Sequence, residues 1–134
     1  MKNLVLLSIL AVLTVRATAQ NISTTNLNWG SVSTFVPTTA TTTGEVTQFI
    51  TYSGDSIRWV GADQTIKYRL KVLETNGTWS DVSQAGTIIY EVDNNGKRGV
   101  ITMTRSNDIK VRMMLTTDAD PAVYELTINS IQTF

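Results

Sequence analysis

Residues 65–79 read TIKYRLKVLETNGTW, and the first half of this stretch alternates between apolar and basic side chains. Successive side chains of a β-strand point to opposite faces, so the alternation predicts a strand with one buried and one cationic face. The buried face carries Ile66, Tyr68, Leu70 and Val72, and the cationic face carries Lys67, Arg69 and Lys71. Asn76-Gly77 tolerates the positive φ angles of a two-residue type I′ turn, which predicts a hairpin with Trp79 on the returning strand.

The rest of the chain repeats this pattern. Alternating segments recur at a spacing of about ten residues, separated by turn-forming groups such as Asp93-Asn94-Asn95-Gly96. No window combines the 3.6-residue period of a helix with capping residues. The short links favour pairing between strands that are neighbours in sequence. We therefore predict an all-β, single-domain antiparallel meander of seven or eight strands, folded as a small barrel or as a β-sandwich.

The first 19 residues have the features of a signal peptide. Lys2 precedes an apolar run over residues 4–15, and Ala17-Thr18-Ala19 supplies the small residues that favour cleavage between Ala19 and Gln20. The run is too short for a transmembrane helix. We therefore expect no transmembrane helix, and a mature protein that is secreted, periplasmic or located at the cell surface.

The residues that follow differ from the rest of the chain. Residues 20–44 are rich in threonine and contain Pro37, which cannot donate a hydrogen bond to a β-ladder. We predict that they form an irregular segment with one short strand near residues 26–32. Residues 45–134 then form the antiparallel β-domain.

The composition removes the commonest catalytic groups. The chain has no cysteine and no histidine, so neither a Ser-His-Asp nor a Cys-His site can be built. A carboxylate pair could still hydrolyse a glycosidic bond, but most of the 11 acidic residues fall in turns or on outward strand positions. We predict a protein that is not an enzyme and has no cofactor. The whole chain has 11 basic and 11 acidic residues, and removal of residues 1–19 takes away Lys2 and Arg16 and leaves a small negative net charge, which argues against a nucleic-acid partner.

Two turns contain oxygen atoms of the kind that bind calcium. They are Asp93-Asn94-Asn95-Gly96 and Asp118-Ala119-Asp120. Neither has the ligand spacing of a calcium-binding loop or the distal bidentate glutamate. We predict ordinary turns and no metal.

The candidate binding residues are two basic rows. Lys67, Arg69 and Lys71 alternate on one strand, and Lys110 and Arg112 alternate on a later strand. If these strands are neighbours, five cations line one face, where sulfate, phosphate, an acidic glycan or a lipid headgroup could bind. The alternative is a solvated face whose cations pair with Glu91 and Glu125 on neighbouring strands.

One tryptophan is a further candidate for ligand binding. Trp79 follows a turn in polar company, so we expect it to be partly exposed and available for stacking. Trp59 shares a strand face with Ile57 and is expected in the core.

Gly77-Thr78-Trp79 resembles the Gly-x-Trp motif of lipocalin-like barrels. In that family the motif lies on the first strand, whereas here it falls in the middle of the chain. We therefore take no residue roles from the family.

Three functions are compatible with these observations. The first is a non-catalytic binding module for a small ligand, a glycan or a protein. The second is a structural or assembly protein at the cell surface, joined through the edges of Thr-rich strands. The third is a small outer-membrane β-barrel, although several strands look short for a membrane span.

Overall fold

A computed structural model describes residues 21–118 and 120–134; the expected signal peptide and its cleavage site at Ala19 and Gln20 lie outside them. The described chain forms one antiparallel sheet of nine strands. They are β1 (Leu27–Val36), β2 (Thr41–Thr43), β3 (Thr47–Tyr52), β4 (Ser56–Val60), β5 (Ile66–Asn76), β6 (Gly86–Asn94), β7 (Lys97–Arg105), β8 (Ile109–Leu115) and β9 (Ala122–Thr133). No helix in the described residues has the length and apolar character needed to cross a membrane.

The sheet closes on itself through β1. One edge of β1 pairs with β3 and with the short strand β2, and the other edge pairs with β9 along most of its length. Every other pairing joins strands that are consecutive in sequence. The predicted all-β meander is confirmed, and of the two architectures left open it is the barrel that forms, with eight strands in the wall and β2 as an addition.

The barrel interior is a packed apolar core. Alternate residues of each wall strand point inward, as the period of two requires. The most deeply buried large side chains are Trp29, Phe49, Ile57, Leu70, Ile88, Tyr90, Ile101, Met103, Met113 and Leu115. Because these side chains occupy the interior, the fold is held by packing rather than by disulfides, which a chain without cysteine cannot form.

Residues 21–44 contain more strand than the one short strand predicted near residues 26–32. Leu27–Val36 is a ten-residue strand that closes the barrel, and Thr41–Thr43 pairs with its end. Two inward positions of this strand hold Ser31 and Thr34, which are buried but polar. The apolar alternation that identifies the other strands is therefore interrupted in β1.

The predicted two-residue turn at Asn76-Gly77 is also wrong. Asn76 is the last residue of β5, and residues 77–85 form a longer loop before β6 begins. Within this loop the indole N–H of Trp79 donates a 2.9 Å hydrogen bond to the Gln84 carbonyl oxygen. The Trp79 ring packs against Trp29, with ring centroids 5.8 Å apart. The loop thus folds Trp79 into the core instead of returning it along a hairpin.

The turn between β6 and β7 forms as predicted. Asn94 pairs with Lys97, which leaves Asn95 and Gly96 as a two-residue connection. Their φ angles are +52° and +88°, the left-handed values that a type I′ turn requires. This tight turn determines where β6 ends, and so how much of β5 it covers.

Candidate functional site

Three basic side chains lie together on the outer face of the β4–β5 pair. Arg58 of β4 and Arg69 of β5 are direct cross-strand partners, and Lys71 lies two residues beyond Arg69. All three are exposed. We call Arg58, Arg69 and Lys71 the cationic cluster.

The cationic cluster forms no ion pair with the described residues. In residues 21–118 and 120–134, the ion pairs within 4 Å join other residues. Asp93 is the cross-strand partner of Lys71, and its Oδ2 accepts a 3.2 Å hydrogen bond from the Gly96 backbone N–H. Its carboxylate holds the β6–β7 turn and leaves the three cations with one negative charge beside them. Arg58 instead places its guanidinium 5.2 Å from the centre of the Tyr52 ring.

A surface cleft of about 270 Å³ contains the cluster. Its polar lining consists of Ser56, Arg58, Arg69, Lys71, Asp93 and Asn95. Three cations around one concave surface raise the local concentration of anions, and guanidinium groups suit carboxylate, sulfate and phosphate because they donate paired hydrogen bonds. The arrangement can therefore bind an anion.

Lys67 belongs to the same row but is engaged elsewhere. Its ammonium group lies 3.0 Å from the Glu45 carboxylate and 5.2 Å from the centre of the Trp59 ring. Lys67 differs from Arg69 and Lys71 because a bulge between Trp59 and Val60 shifts the register of the β4–β5 pairing at this point. Of the three predicted cations on β5, only Arg69 and Lys71 take part in the cluster.

The prediction that five cations could line one face is not met. Strands β6 and β7 lie between β5 and β8, so Lys110 and Arg112 are on a different part of the wall. Arg112 forms an ion pair of 3.5 Å with Glu125, as the solvated-face alternative predicts. Lys110 lies 3.7 Å from Asp108. These two cations have local partners, and they provide a natural control for the cluster.

Trp79 is not available to a ligand, contrary to the sequence prediction. It is 3% exposed, and its indole N–H is already hydrogen-bonded within its own loop. The polar residues around it in the sequence point outward while the ring points in. Trp59 is buried, as predicted.

An aromatic group lies on the inner side of the β4–β5 pair. Trp59 stacks on Tyr68 with ring centroids 6.1 Å apart, and Tyr124 of β9 reaches across the barrel to both. The Tyr68 and Tyr124 hydroxyl oxygens are 3.3 Å apart and share a hydrogen bond. Burial, followed by this hydrogen bond, raises the pKa of Tyr68 to about 12. The Tyr68 hydroxyl therefore stays neutral at physiological pH.

The sequence reasoning did not include Arg58 among the candidate residues. Counting residues outward from the Val60–Ile66 pair places Arg58 opposite Tyr68. The one-residue bulge between Trp59 and Val60 shifts the register and brings Arg58 opposite Arg69, so the pairing of the two arginines could not be counted from the turn alone.

No grouping of acidic side chains suited to a metal ion is found among the described residues. Comparison of the chain with protein-family models, with curated proteins and with solved structures gave no match. The functional argument therefore depends on the geometry of this chain.

Proposed function

We propose that this protein is an exported, non-catalytic binding module that recognises an anionic partner through the cationic cluster. The observation that carries the proposal is the direct pairing of Arg58 with Arg69, next to Lys71 and without an ion pair in the described chain.

The energetics of strand pairing support this role. Like charges directly opposite each other on neighbouring strands are destabilising, whereas opposite charges are stabilising. Opposite charges meet at several other places on the wall, such as Arg112 with Glu125 and Arg98 with Glu91, whereas Glu74 opposite Glu91 is a second pairing of like charges. Departures from such local rules concentrate at functional sites. A bound anion would convert the repulsion at Arg58 and Arg69 into attraction.

The packing of the barrel argues against a ligand inside it. The inward side chains include Trp29, Phe49 and Tyr90, none of which is exposed. A ligand in the lumen would have to displace such groups, at the cost that removing core packing carries. The binding proposal therefore concerns the outer surface.

The same inside–outside pattern argues against the outer-membrane alternative. Membrane barrels have an apolar outer band and a polar interior. Here the core is apolar, and the outer face carries charged residues along β5, β7 and β8, including Arg69, Arg98 and Arg112. The assembly alternative depends on β2, a three-residue exposed edge without charge.

The test compares two triple variants of equal charge. Arg58→Gln, Arg69→Gln and Lys71→Gln together neutralise the cluster, and Arg98→Gln, Lys110→Gln and Arg112→Gln together remove three cations elsewhere. Binding of the purified proteins to heparin and to polyglutamate is measured by titration at low and high salt. We expect the cluster variant to lose at least tenfold in affinity for one of these polyanions while the control keeps it. Equal losses in both variants would show a non-specific effect of net charge and would refute the proposal.

A further inference from the structure

One stretch of the barrel wall has a strand partner on one side only. Residues Ile66–Leu70 of β5 pair with β4, whereas the β5–β6 pairing begins at Lys71 with Asp93. We call the side of Ile66–Leu70 that faces away from β4 the free edge of β5.

The free edge exists because β6 ends early. The Asn95-Gly96 turn reverses the chain directly after Asn94, so the β6–β7 hairpin stops level with Lys71. The five uncovered residues span about 17 Å at the usual rise of a strand. A second strand of about five residues can therefore lie beside them.

The backbone of Arg69 points to this free edge. The backbone N–H of Val72 donates a 3.0 Å hydrogen bond to the backbone carbonyl oxygen of Asp55, on the β4 side. Backbone groups alternate in direction along an antiparallel strand, so Lys71 and Arg69 direct their N–H and C=O groups away from β4. Lys71 is paired there with Asp93, but at Arg69 no strand of the described chain is in register.

The space next to the free edge is open and cationic. A cleft of about 490 Å³ is lined by Ile66, Lys67, Tyr68, Arg69, Asn94 and Asn95. It adjoins the cleft of the cationic cluster, with which it shares Arg69 and Asn95. The nearby carboxylates are already engaged, Glu45 by Lys67 and Asp93 by the Gly96 N–H. An incoming segment thus meets backbone without a strand partner and a surface on which positive charges outnumber negative ones.

We propose that the free edge of β5 binds an extended segment of an acidic polypeptide as an added strand, with an acidic side chain on the cationic cluster. This inference rests on the proposed function and names the class of its partner. An acidic side chain opposite Arg69 lies diagonally from Lys71, whose own cross-strand position is occupied by Asp93. Strand addition supplies affinity through main-chain hydrogen bonds, and the side chains supply selectivity.

A glycan or a headgroup is a weaker match to these features. Either can neutralise the cluster, but neither has the alternating N–H and C=O groups that complete a β-ladder. A partner with a polypeptide backbone can use the neighbouring free edge as well as the cluster. The exposed edge at β2 has no charged cluster of its own, since Thr41–Thr43 carries no charge.

The test uses synthetic peptides and the full protein. The parent peptide alternates glutamate and threonine over eight residues, and a scrambled peptide of the same composition has its four glutamates in succession. Two further peptides carry N-methyl groups on alternate backbone nitrogens. One peptide is methylated at the odd positions and the other at the even positions, so that one of them blocks the N–H groups that face β5. Affinities are measured by isothermal titration, and heparin is titrated in parallel.

We expect the parent peptide to bind at least tenfold more tightly than the scrambled peptide. One of the N-methylated peptides should lose at least tenfold in affinity, because its donors to β5 are blocked. Neutralising Arg69 and Lys71 to glutamine should weaken the parent peptide at least tenfold, and the matched change at Lys110 and Arg112 should leave it unchanged. Circular dichroism verifies that each variant is folded.

The outcomes separate this inference from the proposed function. Binding of heparin that depends on the cluster, without binding of any peptide, overturns strand addition and leaves anion recognition intact. Equal affinity for the parent peptide and both N-methylated peptides would also overturn strand addition and leave anion recognition intact. A concentration-dependent dimer that is lost on neutralising Arg69 and Lys71 would replace the peptide by a second copy of this chain. Failure of all anions to bind overturns both proposals.

Discussion

Trp79 and Gly86 offer the sharpest test of how the loop of residues 77–85 is held on the barrel. A Cβ atom added to Gly86 would lie 2.7 Å from Cγ of the Trp79 indole, closer than real Cβ contacts occur. The φ angle of Gly86 is not in the left-handed region, so the neighbouring ring is the obstacle to alanine here. Steric overlap of this kind costs about 1–3 kcal/mol of the free energy of unfolding.

The two single variants and the double variant form a thermodynamic cycle. Trp79→Ala removes a buried ring and its hydrogen bond, and should cost about 3–5 kcal/mol. With the ring gone, Gly86→Ala meets no obstacle and should be neutral or stabilising by up to about 1 kcal/mol, because alanine restricts the unfolded chain. The costs are therefore strongly non-additive, with a coupling of about 2 kcal/mol expected for residues in contact.

Urea unfolding followed by circular dichroism measures each corner of this cycle, and it does not depend on the removed tryptophan. Gly44→Ala is the matched control, since nothing lies within 4 Å of an added Cβ there. If Trp79→Ala leaves too little folded protein, Trp79→Leu takes its place. Additive costs, to within about 0.5 kcal/mol, would refute the packing of Trp79 against Gly86.

Three further predictions follow from single residues. The Tyr90 hydroxyl is buried without a hydrogen-bond partner in the described chain, so Tyr90→Phe should stabilise the protein by about 1 kcal/mol in urea unfolding at pH 7. Burial also raises the pKa of Tyr90 to about 12 from its usual 10. The stability linked to the Tyr90 hydroxyl is complete below pH 10 and is lost as the pH rises from 10 to 12. The Tyr90→Phe variant should therefore lose less stability than the unsubstituted protein over this pH range. Arg69→Gln removes the repulsion from Arg58 and should raise stability by about 0.5 kcal/mol at low salt, a gain that high salt abolishes; no change at low salt would contradict the charge argument. Gly99→Ala would place its Cβ 2.6 Å from Cδ2 of Leu115 and should cost about 1–3 kcal/mol in thermal melts, whereas an unchanged midpoint would contradict the packing.

The parts of the fold that were predictable follow one physical rule. Strands with an apolar inner face and a polar outer face show a period of two, so β4, β5 and β8 could be recognised from residues such as Ile57, Leu70 and Met113. The closing strand β1 was predicted too short, near residues 26–32 instead of Leu27–Val36, because Ser31 and Thr34 occupy inner positions. Their hydroxyls remove the apolar signal without moving the strand.

The errors at the candidate site arise from contacts that are distant in sequence. Asn76-Gly77 has the composition of a tight turn, but packing of Trp79 against Trp29 draws the chain into a longer loop. Nothing in the local residues of either segment encodes that contact. In the same way, whether Lys110 lies near Lys71 depends on strand order, which alternation alone does not determine.

The turn at Asn95-Gly96 shows how local chemistry can create a site away from itself. An unpaired strand edge is a risk for aggregation, and lysine side chains are a common protection against it. Protection alone could account for Lys67 and Lys71 on β5. It does not account for Arg58, which lies on β4 and faces Arg69 across a strand pair that is already complete. Under the proposed function, the repulsion that Arg58 adds serves recognition of an anionic partner. Comparing Arg58→Gln with Lys67→Gln therefore distinguishes the two roles: if Arg58 serves binding, its neutralisation weakens the acidic peptide without increasing aggregation.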